Sequence, residues 1–131
     1  SMVIDTSAII AMLTQEPKAD RLLTAVEADR TRLVSAATVI EASLVLLGRY
    51  GEAGDAPLDR LLRSIGAEVV PVGEEHVALA RDGALRFGRG RHPAALNYGD
   101  CFSYALSVER GEPLLFVGDD FSQTDVEVCR W

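Results

Sequence analysis

Met2-Val3-Ile4-Asp5-Thr6-Ser7 is the stretch that decides the fold of this chain. Three consecutive apolar residues suit a strand buried on both faces, as in a parallel sheet, rather than the half-solvated strand of an antiparallel one. The run ends on an aspartate, after which Thr6 or Ser7 can cap a helix that runs to Leu13 and breaks before Pro17. A buried strand passing directly into a helix is the opening half of a βαβ unit.

The same pattern recurs downstream. Ala19, Leu22, Leu23 and Val26 fall at the i, i+3, i+4, i+7 spacing of a one-sided helix. Arg32-Leu33-Val34 is a second strand, Ser35 caps a long helix to about Tyr50, and Gly51 stops it. Gly51 to Pro57 is a loop, and Leu58, Leu61, Leu62 and Ile65 mark another amphipathic helix closed by Gly66. Val69-Val70-Pro71-Val72 is a third strand, and Pro71 assigns it to an edge or a strand end. Glu74 to Phe87 is helical, Gly88 to Leu96 is an irregular basic loop, and Tyr98 to Arg110 is a helix stopped by Gly111. Leu114-Leu115-Phe116-Val117 is a fourth strand, and Thr124 to Trp131 has room for a short fifth. This alternation predicts a mostly parallel sheet covered by helices on both faces, in one domain over residues 1–131. Ser1 reads as a cloning remnant ahead of a natural start at Met2.

Bulk composition narrows the function classes. A chain of 131 residues with 48% hydrophobic content can bury one core, and its apolar runs are far too short to cross a bilayer. The N-terminus enters strand-like sequence at once, so no signal peptide is expected. Cys101 and Cys129 lack motif spacing, which argues against a disulfide framework and makes the cytoplasm the expected compartment. A net charge of −7 speaks against a general nucleic-acid binder, unless several of the carboxylates hold metal. Arg86, Arg89, Arg91 and His92 form a local cluster against the acidic trend, suited to phosphate or to a partner's carboxylate.

The acids fall at telling places. Asp5 and Asp119 directly follow strands, Glu41 lies two turns into the helix after strand two, and Asp100 sits in the first turn of the helix feeding strand four. In open α/β sheets ligands gather at the carboxyl ends of the strands, and these four acids can reach one such end. Each also has a structural reading: Asp100 with Asn97 as helix cap, Asp5 and Asp119-Asp120 as turn residues, Glu41 as partner of an arginine. Glu41 has Ala37, Thr38, Leu44 and Val45 as helical neighbours, which places it on the expected buried stripe. Carboxylates against apolar sequence need a positive partner, and the only lysine is Lys18, in a polar stretch. That also disfavours a phospho-acceptor receiver module, which needs a lysine at a strand end. Hard oxygen ligands without a Cys or His cluster point to Mg²⁺ or Mn²⁺.

On these residues the chain resembles the PIN-domain ribonucleases of the VapC type found in bacterial toxin–antitoxin pairs. The likeness is carried by Met2-Val3-Ile4-Asp5-Thr6-Ser7-Ala8, by Glu41, by Leu96-Asn97-Tyr98-Gly99-Asp100-Cys101-Phe102-Ser103-Tyr104-Ala105, and by Leu114-Leu115-Phe116-Val117-Gly118-Asp119-Asp120-Phe121. The resemblance implies a three-layer sandwich with a central four- or five-stranded parallel sheet. It further implies Mg²⁺-dependent endonucleolytic cleavage of RNA, often transfer or ribosomal RNA, a VapB antitoxin reaching into the acidic groove, and a toxin homodimer. By position Asp5, Glu41 and Asp100 match the family's invariant acids. Many members carry the fourth acid three residues before the Phe, where this chain has Gly118, so Asp119 is the first choice here, then Asp120, then Asp125.

The chemistry of the residues runs the same way. RNA cleavage needs a nucleophilic water and a stabilised leaving oxygen, and a two-ion site with ions about 4 Å apart supplies both. Mg²⁺ takes only one or two protein carboxylates, so Asp5 and Asp100 are assigned as direct ligands, with Glu41 and Asp119 completing the site. Thr6, Ser7, Asn97 and Ser103 are expected to orient the carboxylates. Arg86, Arg89 and Arg91 are expected beside them for RNA or antitoxin contact. His76 reads as a surface helix residue, and the Leu22/Leu23 and Leu58/Leu61/Leu62 helices as core with room for a VapB helix. The competing reading is a catalytically weak PIN-fold module that binds RNA or a partner without turnover.

Overall fold

The computed structural model describes residues 1–131. Four parallel strands, β1 (Met2–Ile4), β2 (Arg32–Ser35), β3 (Glu68–Val70) and β4 (Leu114–Leu115), form a sheet in the order β3-β2-β1-β4. Strand alternation divides the core. Met2, Ile4, Val34 and Leu115 face one side with Ala8, Ile9, Leu22, Ala42, Leu46 and Leu58. Val3, Leu33 and Leu114 face the other, with Phe87, Tyr104 and Leu106. The first layer is built from α1 (Thr6–Leu13), α2 (Ala19–Glu27), α3 (Ala36–Tyr50) and α4 (Asp55–Ser64); the second from α5 (Glu74–Phe87) and α6 (Tyr98–Arg110). The result is a three-layer α/β sandwich.

Most element boundaries follow the sequence, and the departures have identifiable causes. Asp5, not Thr6 or Ser7, is the N-cap of α1 and accepts the Ser7 amide at 3.0 Å. β3 stops at Val70 because Pro71 has no N–H for the ladder. β4 ends at Leu115 rather than Val117 because its later groups bond to side chains. The Val117 N–H donates to Ser7 Oγ at 2.9 Å, and the Trp131 indole N–H donates to the Phe116 carbonyl at 3.2 Å. The tail contributes a single parallel bridge, Leu114 to Val128, in place of a fifth strand. Gly51–Gly54 is one 3-10 turn rather than an open loop. Cys101 is buried, and both cysteines are free thiols. No helix is long and apolar enough to cross a membrane.

Candidate metal-dependent nuclease site

The strand order reverses at β1, which has β2 on one side and β4 on the other, and this switch point is where an α/β sheet opens a crevice. Asp5 stands at the carboxyl end of β1 and is only 3% exposed. Its Oδ2 accepts the Ser7 hydroxyl at 2.7 Å, and its Oδ1 accepts the Ser103 hydroxyl from α6 at 2.6 Å. Ser103 is in turn 3.3 Å from the Thr38 hydroxyl of α3. These donors hold an almost fully buried carboxylate without any arginine or lysine.

Glu41 enters from α3 and accepts a hydrogen bond from the Thr6 hydroxyl. It is half-buried. The fully buried stripe of α3 is Thr38, Ala42 and Leu46, while Ile40, Leu44 and Leu47 are exposed, so the expectation that Glu41 and Leu44 share the buried stripe is corrected. Asp100 enters from the first turn of α6, where it and Asn97 form a reciprocal capping box: the Asp100 amide donates to Asn97 Oδ1 at 2.9 Å and the Asn97 amide to Asp100 Oδ2 at 3.0 Å. Gly99 lies against Glu41, and a methyl there would run into its carboxylate.

One open cavity of about 370 Å³ is lined by Asp5, Thr6, Ser7, Glu41, Asn97 and Asp100. Burial, and then the charges of Asp5, Glu41 and Asp120, push the Asp100 carboxyl up to about 6, against the lowering effect of the Asn97 amide. None of these carboxylates is in an ion pair with a basic side chain. A cation fits this arrangement, because it would offset the burial and the neighbouring negative charges that disfavour the ionised Asp100, and the donors are hard oxygens. No three acidic, His or Cys side chains converge into a cage by themselves.

The remaining expected site residues lie elsewhere. Asp119 is exposed and its carbonyl accepts the Ser122 hydroxyl, but its side chain does not line the cavity. Asp120 is the loop acid whose charge reaches Asp100. Asp125 is committed to the Tyr104 hydroxyl at 2.9 Å and to Arg86 at 3.2 Å. Arg86 also pairs with Asp82, and Arg91 donates to the Leu85 carbonyl at 2.8 Å, so two of the three arginines expected at the site are tied to their own surroundings. Arg89 lines a separate apolar groove between α5 and α6, with Val77, Leu96, Tyr98 and Phe102; it meets the acidic cavity at Asn97. His76 is buried against Glu109 at 2.7 Å, not on the surface. Leu22 and Leu58 are wholly within the core, and Leu23, Leu61 and Leu62 pack against it.

Two further charged residues line the cavity: Glu16, unmarked by the sequence, and Arg49, which the sequence offers only as the arginine two turns on from Glu41 that could pair with it. A backbone signal accompanies one of them. The chain has two non-glycine residues in the left-handed region, Gln15 (φ 53°) and Ala95 (φ 51°). One directly precedes Glu16 and the other lies two residues before Asn97. Such strain persists where surrounding structure enforces it, and it gathers at functional sites.

A parallel sheet with carboxylates from β1, α3 and α6 gathered at its switch point defines an α/β protein with an acidic crevice at the carboxyl end of its strands. A PIN domain model matches residues 2–127. Ribonuclease VapC30 of Mycobacterium tuberculosis is 50% identical over 125 residues, 95% of each chain, and Ribonuclease VapC of Mycolicibacterium smegmatis is 48% identical over 95% of this chain and 97% of its own. The chain belongs to the PIN-domain family, within its VapC ribonucleases. Among solved structures the fold is similar to that of Mycobacterium tuberculosis VapC20, described as a sarcin-ricin loop cleaving toxin (TM-score 0.78, 16% identity, 96% of each chain). It is also similar to a toxin–antitoxin complex from Klebsiella pneumoniae (TM-score 0.70, 16% identity, 95% and 93%).

Proposed function

We propose that this ribonuclease is an Mg²⁺-dependent endoribonuclease toxin, with Mn²⁺ as a substitute ion, acting in the cytoplasm on structured cellular RNA such as transfer or ribosomal RNA. The observation that carries the reading is the sharing of one cavity by Asp5, Glu41 and Asp100 with no basic side chain paired to any of them. Asp5 and Asp100 would hold the ion, Glu41 would complete the site, and the loop acid Asp120 would add its charge through its effect on Asp100. A bound divalent ion supplies a lowered water pKa and neutralises charge developing on the phosphate. The protein's own part is orientation. Ser7 and Ser103 fix both oxygens of Asp5, Thr6 fixes Glu41, and Asn97 fixes Asp100, so that the carboxylates need not reorganise as charge develops.

A VapB-type antitoxin and a second copy of the chain belong to the same proposal. Support comes from apolar surface flanking the cavity: the stripe Ile40, Leu44, Leu47 and Tyr50 on α3, and the α5–α6 groove. Contiguous exposed apolar surface of this kind marks interaction sites.

The test is incubation of purified protein with total RNA and Mg²⁺, beside an EDTA control and an Asp100→Asn variant. Fragments with defined 5′ ends are expected only from the wild type with metal. Equal cleavage by Asp100→Asn, or none by the wild type, would remove the nuclease reading.

A further inference from the structure

The acidic cavity contains one cation, and no step above uses it. Arg49 lies on the stripe Glu41, Val45, Arg49 of α3, and all three residues line the cavity. Side chains at i, i+4 and i+8 share a helix face, and at 1.5 Å per residue Glu41 and Arg49 stand about 12 Å apart along the axis. Arg49 is exposed and enters none of the protein's ion pairs. Glu16, on the cavity wall, is already matched by Lys18 at 3.3 Å.

Two plainer roles fall short. A cation in the last turn of a helix complements the helix dipole, but that holds on any side of the turn and does not call for the side that faces the acids. An arginine placed to neutralise the carboxylates would pair with one of them, and Arg49 does not.

We propose that Arg49 binds a backbone phosphate of single-stranded RNA lying in the cavity, next along the strand from the phosphate held at the acids. The inference rests on the nuclease reading. A guanidinium offers a rigid fork to two phosphate oxygens, and its lack of an internal partner leaves that fork available. Its distance from Glu41 carries it past the reacting phosphate, so it fixes the track of the strand rather than the chemistry. A positive anchor at the far end of a negative cavity also explains how a chain of net charge −7 can hold a polyanion locally.

The experiment measures binding of a fluorescein-labelled single-stranded RNA oligonucleotide by anisotropy over a salt series. Ca²⁺ replaces Mg²⁺, and a gel checks that the oligonucleotide stays intact. Arg49→Ala is expected to weaken binding several-fold and to reduce the slope of log K against log salt by about 0.7, the share of one phosphate on a single strand. Arg49→Lys is expected to recover the slope and part of the affinity. Mn²⁺ binding to Arg49→Ala, read by electron paramagnetic resonance, is expected to be unchanged or tighter, because a positive charge has left the cavity. In cleavage assays the loss is expected in KM rather than kcat. Wild-type affinity and slope in Arg49→Ala overturn the proposal, as does joint loss of Mn²⁺ and RNA binding, or absence of RNA binding by the wild type. Wild-type protein that cuts no RNA, yet binds it in an Arg49-dependent way, defeats the nuclease and leaves this site standing. Protein that cuts RNA with an Arg49-independent slope defeats this site alone.

Discussion

At the scale of single residues, the site is built from side chains that each do two jobs. Asp5 caps α1 and is also the most deeply buried acid of the cavity. Ser103 fills a buried α6 position and clamps Asp5 Oδ1. Ser103→Ala is therefore expected to leave the fold intact while lowering metal affinity and cleavage about 10- to 100-fold, the usual effect of removing a hydrogen bond to a ligating group. Isothermal titration with Mn²⁺ checks this directly. Gly99 gives a sharper contrast. In a helix, alanine is favoured over glycine by up to about 1 kcal/mol, so Gly99→Ala has no intrinsic reason to destabilise α6. Its methyl would nonetheless displace the Glu41 carboxylate from Thr6. The expected outcome is an unchanged or raised melting temperature together with loss of RNA cleavage. A variant that cuts RNA normally would show that Glu41 can be moved without consequence.

At the scale of elements, α6 matters most, because its capping box both starts the helix and aims Asp100. Asn97→Ala is expected to cost about 1 kcal/mol of stability and to reduce cleavage, whereas Asn97→Asp should retain the cap but add a charge that raises the Asp100 pKa further. Denaturant melts and pH–rate profiles of the two variants separate capping from electrostatics. This element was readable in advance, since Asn97 and Asp100 are a cap and its return partner at fixed spacing. Asp5 was equally readable, because a three-residue buried strand can only deliver it to the sheet end. The loop after β4 was not. Asp119 and Asp120 are adjacent in a turn with no periodicity, and the positive φ of Gly118 (109°), which helps set their direction, cannot be read from composition. Arg86 and Arg91 formed a cluster in sequence, yet Asp82, Asp125 and the Leu85 carbonyl, distant or unmarked in the chain, engage them. Arg49 is legible in sequence only as a candidate partner of Glu41 two turns away; in the fold the two share the cavity wall without forming an ion pair.

At the scale of the whole molecule, the sheet's switch point concentrates negative charge that the protein does not neutralise itself, and stability must register this. The Asp100 carboxyl rises from 3.8 to about 6 on folding, chiefly through burial and then through Asp5, Glu41 and Asp120. Below 3.8 folded and unfolded chains both hold the proton, and the group contributes no difference. Between 3.8 and about 6 the folded state holds more protons than the unfolded one, so this group makes stability fall as pH rises. Above that window the penalty is complete. Metal-free wild type is thus expected to lose stability from this group across that interval, and Asp100→Asn to lack that component while losing activity. A divalent ion bound only by the folded state adds RT ln(1 + [L]/Kd), and it binds best once Asp100 is ionised. Mg²⁺ should therefore raise the melting temperature little at pH 5 and clearly at pH 7.5, with no comparable difference in Asp100→Asn. Thermal melts of both proteins at the two pH values, with Mg²⁺ and with EDTA, give the comparison. Equal Mg²⁺ stabilisation of wild type and Asp100→Asn at pH 7.5 would place the ion away from Asp100 and break the link between the cavity's charge and its chemistry.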